Sequence, residues 1–151
     1  MEYIKISNEL DCIEADKLFN SLIKYESGFD KIINGNCVVR GFNKEMLGQP
    51  NAFAYYVKDN EECVGYIFAY LKTPYNSVMN ANIVTVESLF IKEEYRGKGI
   101  GKTLIEMLGK WSEAKFKDYV VEITCLSNNK DALKFYDKLG YKEVKTILRK
   151  G

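Results

Sequence analysis

The chain has 151 residues, with 22 lysines and arginines against 21 aspartates and glutamates, for a formal charge of +1. That length suits one domain burying roughly two thirds of its unfolded surface, and so even a balance of charge lacks the one-signed field of a general nucleic-acid or membrane-surface binder, which leaves a small molecule as the expected partner. No histidine occurs anywhere, so Ser-His-Asp and Cys-His systems and most zinc sites are excluded, and a general base has to be a carboxylate, lysine, tyrosine, cysteine or water.

The opening MEYIKISNEL has no apolar leader core, no apolar run approaches the roughly 18–20 residues of a membrane span, and Cys12, Cys37, Cys63 and Cys125 form no C-x-x-C pair. A cytoplasmic protein without membrane contact is expected. Tyr3–Ile6 reads as a first strand, and Leu10, Ile13, Leu18, Phe19, Leu22 and Ile23 then recur at helical spacing from about Asp11, with Glu14 as a capping-box partner and Gly28 at the end. Residues 29–50 mix turn formers with a helix-like NKEML and read as loop plus a short helix. Two strands follow, 52–58 and 63–72, joined across Asp59-Asn60-Glu61-Glu62. The second is apolar on both faces and therefore central. The segment Thr73–Asn82, with Pro74 and few apolar anchors, reads as a mobile loop.

Ile83–Ile91 is strongly β-like and leads into YRGKGIGKT, which opens a helix with a stripe of Ile100, Leu104, Leu108, Trp111 and Ala114. Next come a strand, Tyr119–Leu126, a helix from about Asn129 to Leu139 stopped by Gly140, and a last strand, Tyr141–Leu148. Alternating strands and helices in this half imply an α/β fold with parallel pairing around the crossover helix. The segment YRGKGIGKT has the composition of a phosphate cradle. Its GKT ending fits a Walker A loop, but Gly97 is one residue too close to Gly101, and a dinucleotide fingerprint fails because Lys102 stands where the third glycine belongs. What fits is R-x-x-G-x-G, at Arg96, Gly99 and Gly101. Small residues admit a close pyrophosphate, and a helix N-terminus with free amides favours the anion.

VESLFIKEEYRGKGIGKTLIEML resembles the acetyl-CoA-binding segment of the GNAT superfamily of N-acetyltransferases. Downstream, NNKDALKFYDKLGY resembles that family's later helix, with Asn129, Ala132, Tyr136, Gly140 and Tyr141 in register. The resemblance covers nearly the whole chain, and least of all residues 29–50. It implies a single GNAT-like domain over 1–151, with a mixed sheet of six to seven strands, about four flanking helices, and fourth and fifth strands splayed around the cosubstrate. Acetyl-CoA would be that cosubstrate, with no metal. Leu89, Phe90 and Ile91 would meet its pantetheine arm, and Arg96, Gly97, Lys98, Gly99, Ile100, Gly101 and Lys102 its pyrophosphate. Asn129 would either contact the same molecule or merely cap its helix, and Tyr136 would serve both as a contact and as the acid for the leaving thiolate.

The acceptor amine must first lose a proton. Glu87 is the candidate base, expected in the apolar company of Ile83, Thr85, Leu89 and Ile91, acting directly or through water. Cys125 is either an acetyl-carrying nucleophile or a small buried residue. The acceptor is expected between the first helices and the 73–82 loop, near Tyr55, Tyr56, Tyr66 and Tyr70, with Glu26, Asp30 and Glu87 drawing a cationic small molecule such as a polyamine or aminoglycoside. The rivals are an acetyltransferase acting on a protein amino terminus or lysine, and a non-catalytic acyl-CoA sensor. Only YKEVKTILRKG follows Gly140, which leaves a short last strand or one completed by a second subunit, and hence a homodimer as an open expectation.

Overall fold

The computed structural model describes residues 1–151. In chain order it contains β1 (Glu2–Lys5), α1 (Glu9–Glu26), α2 (Phe42–Met46), β2 (Ala52–Asp59), β3 (Glu62–Thr73), β4 (Asn82–Ile91), a 3-10 turn (Glu93–Tyr95), α3 (Ile100–Lys115), β5 (Tyr119–Ile123) and α4 (Lys130–Lys138). The strands form one sheet in sequential order. β1 to β4 are antiparallel, and β5, returned by the α3 crossover, runs parallel to β4. The β2–β3 hairpin closes through Asn60, which takes the left-handed conformation that asparagine tolerates in tight turns.

β3 is central, and Val64 to Ala69 are all buried. One face of the sheet packs Val57, Ile67, Val84 and Val86 against Ile100, Leu104, Ile105 and Leu108 of α3. The other packs Tyr56, Tyr66, Phe68 and Phe90 against Cys12, Ala15 and Leu18 of α1 and Met46 of α2. α1 begins two residues earlier than its apolar spacing suggests, because Asn8 is its cap. The Asn8 side chain accepts from the Asp11 amide at 2.9 Å, and Asp11 in turn accepts from the Ser7 amide at 3.0 Å, a box that does not involve Glu14.

Residues 29–50 are held by two polar side chains one turn apart on α1. Buried Asp16 accepts from the Gly41 amide at 3.0 Å, the Asn43 amide at 2.9 Å and Asn43 Nδ2 at 2.8 Å, so it caps α2 from a distance. Asn20 meets Val39 twice, accepting from its N–H at 2.8 Å and donating to its carbonyl at 3.0 Å. Phe19 stacks on Phe42 at 3.9 Å.

The sheet has five strands rather than six or seven. The expected last strand does not form: residues 141–151 pair with no other strand, and Val144, Ile147 and Leu148 are 74%, 83% and 90% exposed. After Gly140, at φ +91°, the segment runs on without strand pairing to the loop that follows α1, where Arg149 grips Asp30 with two hydrogen bonds of 2.9 Å. Without a paired edge or a covered face, its β-forming composition has nothing to act on. No helix is long and apolar enough to cross a membrane.

Candidate active site

β4 and β5 stay paired only as far as Val86 and Ile123. There β4 carries a bulge: Ala69 faces Val86 and Phe68 faces Ser88, so Glu87 is the extra residue. A bulge bends and twists its strand. Beyond it the two strands part, as the family resemblance implied for the fourth and fifth strands, and a cavity of about 600 Å³ opens between Glu87, Leu89, Phe90 and Ile91 on one wall and Thr124–Leu126 on the other.

At one end of this cleft lies the glycine loop. Gly97 (φ +76°) and Gly99 (φ +84°) are both left-handed, and open space surrounds the positions where their Cβ atoms would stand. Gly99 is the N-cap of α3 and brings no side chain to cap it, so the amides of Ile100, Gly101 and Lys102 remain available to an anion. Gly101 has a different task. A Cβ there would stand 3.1 Å from Phe135 Cζ, which fixes how closely α3 approaches α4.

The three cations of the loop behave differently. Arg96 folds back into the cleft, with Nε donating to the Ile91 carbonyl at 2.8 Å and the guanidinium 4.3 Å from the centre of the Tyr25 ring. Lys98 lies 5.0 Å over Tyr95 and does not line the cavity. Lys102 lines it, with a loose 3.9 Å pairing to Glu106. Leu89, Phe90 and Ile91 line the same cavity along the unpaired edge of β4.

The facing wall is α4. Asn129 both lines the cavity and caps the helix, accepting from the Ala132 amide at 3.2 Å. Tyr136 lies between Phe135 and Tyr141, with ring centres 5.1 and 5.7 Å away. Burial pushes its phenol far above the ordinary tyrosine range, with no hydrogen bond to offset it and with Cys125, Tyr141 and Glu26 adding in the same direction. Cys125 is half-buried, and burial, assisted by the Glu26 carboxylate, raises its thiol, so little of the nucleophilic thiolate forms. The small-residue reading of Cys125 is the better one.

Glu87 borders the cavity, but it is exposed rather than set among apolar neighbours. The bulge takes it out of the strand alternation on which that expectation rested. The expected tyrosine wall is also displaced. Tyr56 and Tyr66 are buried in the core against α1, and none of Tyr55, Tyr56, Tyr66, Tyr70 or the 73–82 loop reaches the cavity. Its aromatic lining is Tyr25, Phe90, Tyr95, Phe135 and Tyr136. Of the three acids expected to draw a cationic acceptor, Glu26 and Glu87 line the cavity and Asp30 does not, while Tyr25, also at the end of α1, is a site residue that motif reading overlooks. The only sequence signal for Tyr25 is its position in the last turn before Gly28.

The sequence model of the Acetyltransferase (GNAT) family matches residues 19–141. This chain belongs to that family. It is similar to an N-alpha-acetyltransferase of Sulfurisphaera tokodaii, at 27% identity over 110 residues that cover 70% of this chain and 66% of the relative. Among solved structures it resembles a tetramutant of the BH1408 protein from Bacillus halodurans, with a TM-score of 0.84 and 20% identity over 100% of this chain and 99% of that one. It also resembles AAC(6')-Iy in complex with the bisubstrate analog CoA-S-monomethyl-acetylneamine, with a TM-score of 0.69 and 16% identity over 99% and 96% of the two chains. At such identities these two structures establish the fold.

Proposed function

We propose that this protein is an acetyl-CoA-dependent N-acetyltransferase that moves acetyl directly to the primary amine of a small molecule. The observation that carries the reading is the single cleft joining the uncapped start of α3 to a pair of candidate proton carriers, Glu87 and Tyr136. The amides of Ile100–Lys102 suit the pyrophosphate, the free edge of Leu89–Ile91 suits the pantetheine arm, and Asn129 keeps its Nδ2 available beyond its capping role. Acetyl-CoA, when bound, supplies an acetyl thioester.

At pH 7 the neutral form of a lysine-like amine is disfavoured by about 4–5 kcal/mol, so a proton acceptor near it matters. Glu87, exposed at the bulge, takes that proton through water. An amide of Leu89 or Phe90 polarises the thioester carbonyl. The raised pKa of Tyr136 keeps its hydroxyl protonated throughout the physiological range, and a phenol so weak as an acid stabilises a leaving thiolate by donating a hydrogen bond rather than by full proton release. The reading includes a cytoplasmic protein with free thiols and a homodimer in solution.

Acetyl-CoA turnover with a panel of amines tests it. Glu87→Gln and Tyr136→Phe should each lower kcat roughly 10²-fold. A chain that binds acetyl-CoA yet turns over no amine would be a sensor, and one that acetylates only peptides would be a protein acetyltransferase. Either result overturns the small-molecule reading.

A further inference from the structure

The proposed reaction uses one proton acceptor and one hydrogen-bond donor. The amine yields one proton to solvent by way of Glu87 and a second to the departing sulfur, and no step needs another carboxylate. Yet a second one lines the same cavity: Glu26, in the last turn of α1 beside Leu22 and Tyr25. It is half-buried, and the only influence on its carboxyl is burial, which raises its pKa; no hydrogen bond or cation offsets the loss of water. Of the two cations that line the cavity, Arg96 gives Nε to the Ile91 carbonyl and stacks its guanidinium on Tyr25, and Lys102 pairs loosely with Glu106; neither bonds Glu26. Glu26 nevertheless shares its cavity with Glu87, Cys125 and Tyr136, and its charge raises both the Tyr136 phenol and the Cys125 thiol.

A desolvated carboxylate without a partner gains more from an arriving cation than a hydrated one does. The reacting ammonium cannot be that lasting cation, because it ceases to be charged as the reaction proceeds. The cation has to be a second one, on the same acceptor, that stays charged throughout. Resting on the small-molecule acetyltransferase reading, we infer that Glu26 is the specificity-determining residue of the acceptor site: it pairs with a second, non-reacting ammonium, and the preferred acceptors are therefore linear diamines and polyamines. Leu22 and Tyr25, which line the same cavity, give the intervening methylene groups apolar contact.

The test compares 1,4-diaminobutane with butylamine as acceptors, for wild type and Glu26→Gln. Wild type should favour the diamine in kcat/KM, and Glu26→Gln should cut the diamine-to-monoamine ratio at least about tenfold, with the change in KM, as loss of one charge-assisted pair predicts. Glu26→Asp should keep a preference for diamines but move its optimum to a longer spacer. An unchanged ratio, or an equal fall of kcat for both amines, overturns the inference; the latter would make Glu26 the proton acceptor instead. Should neither amine be acetylated, the wider amine panel decides the acetyltransferase reading and calorimetric titration decides this one separately. Tighter binding of the diamine that is lost in Glu26→Gln supports the pairing, and equal binding of both amines to both proteins overturns it.

Discussion

Gly99 and Glu26 each carry a cost that the fold accepts for the sake of the cleft. Gly99 sits at φ +84° as an uncapped N-cap, a conformation that costs an ordinary L-residue about 1–2 kcal/mol. Gly99→Ala should lower the midpoint of thermal unfolding by roughly 2–8 °C, and its methyl group, filling the open space beside the start of α3 that the pyrophosphate would take, should raise KM for acetyl-CoA about tenfold. Differential scanning fluorimetry and initial-rate kinetics check the two parts separately. For Glu26 the sign runs the other way. Burial raises its carboxyl in the folded state above the unfolded value of about 4.3, so the folded protein holds the proton over a range where the unfolded chain has lost it. Its favourable contribution is complete below the unfolded value and is lost as pH rises through the folded one. Glu26→Gln should accordingly melt above wild type near pH 7, with the difference gone near pH 4. A variant no more stable at pH 7 than the wild type would contradict this.

Among the elements, α2 shows what a sequence hides. NKEML reads only as a short helical fragment, yet it is fixed by Asp16, some 25 residues earlier, whose buried carboxylate takes three hydrogen bonds from Gly41 and Asn43. Asp16→Ala would strand those donors and should cost about 3 kcal/mol, a fall of roughly 6–12 °C in the unfolding midpoint, with faster amide exchange at Asn43. Retained protection there would show that α2 holds without its remote cap. Local chemistry was legible wherever a signal lay within one element: the double-faced apolar run of β3, the R-x-x-G-x-G turn into α3, the Asn129 cap and Gly140 stop of α4. Cleft geometry was less so. Period-two alternation placed Glu87 among apolar residues, but one bulge turned it out to water, and tyrosines that looked free to line an acceptor pocket are spent on the core beneath α1. The acceptor wall at Tyr25 and Glu26 depends on where the end of α1 lies against β4, which no local pattern encodes.

At the scale of the whole molecule, two features match each other. β5 is an edge strand with its outer backbone unpaired and Val120 45% exposed, while residues 141–148 have β-forming composition and leave Val144, Ile147 and Leu148 in solvent. A bare edge beside an uncovered apolar segment invites association, and a twofold pairing that brings this segment of each copy over the β5 edge of the other would satisfy both at once. The expected outcome is a dimer by light scattering at micromolar concentration. Ile147→Lys with Leu148→Lys should convert it to monomer while leaving the core circular dichroism of the sheet intact, because neither residue belongs to the packed core on either face. A wild-type chain that stays monomeric up to about 100 μM would mean that the edge is instead guarded by charge, with Glu122 and the lysines of the tail keeping copies apart.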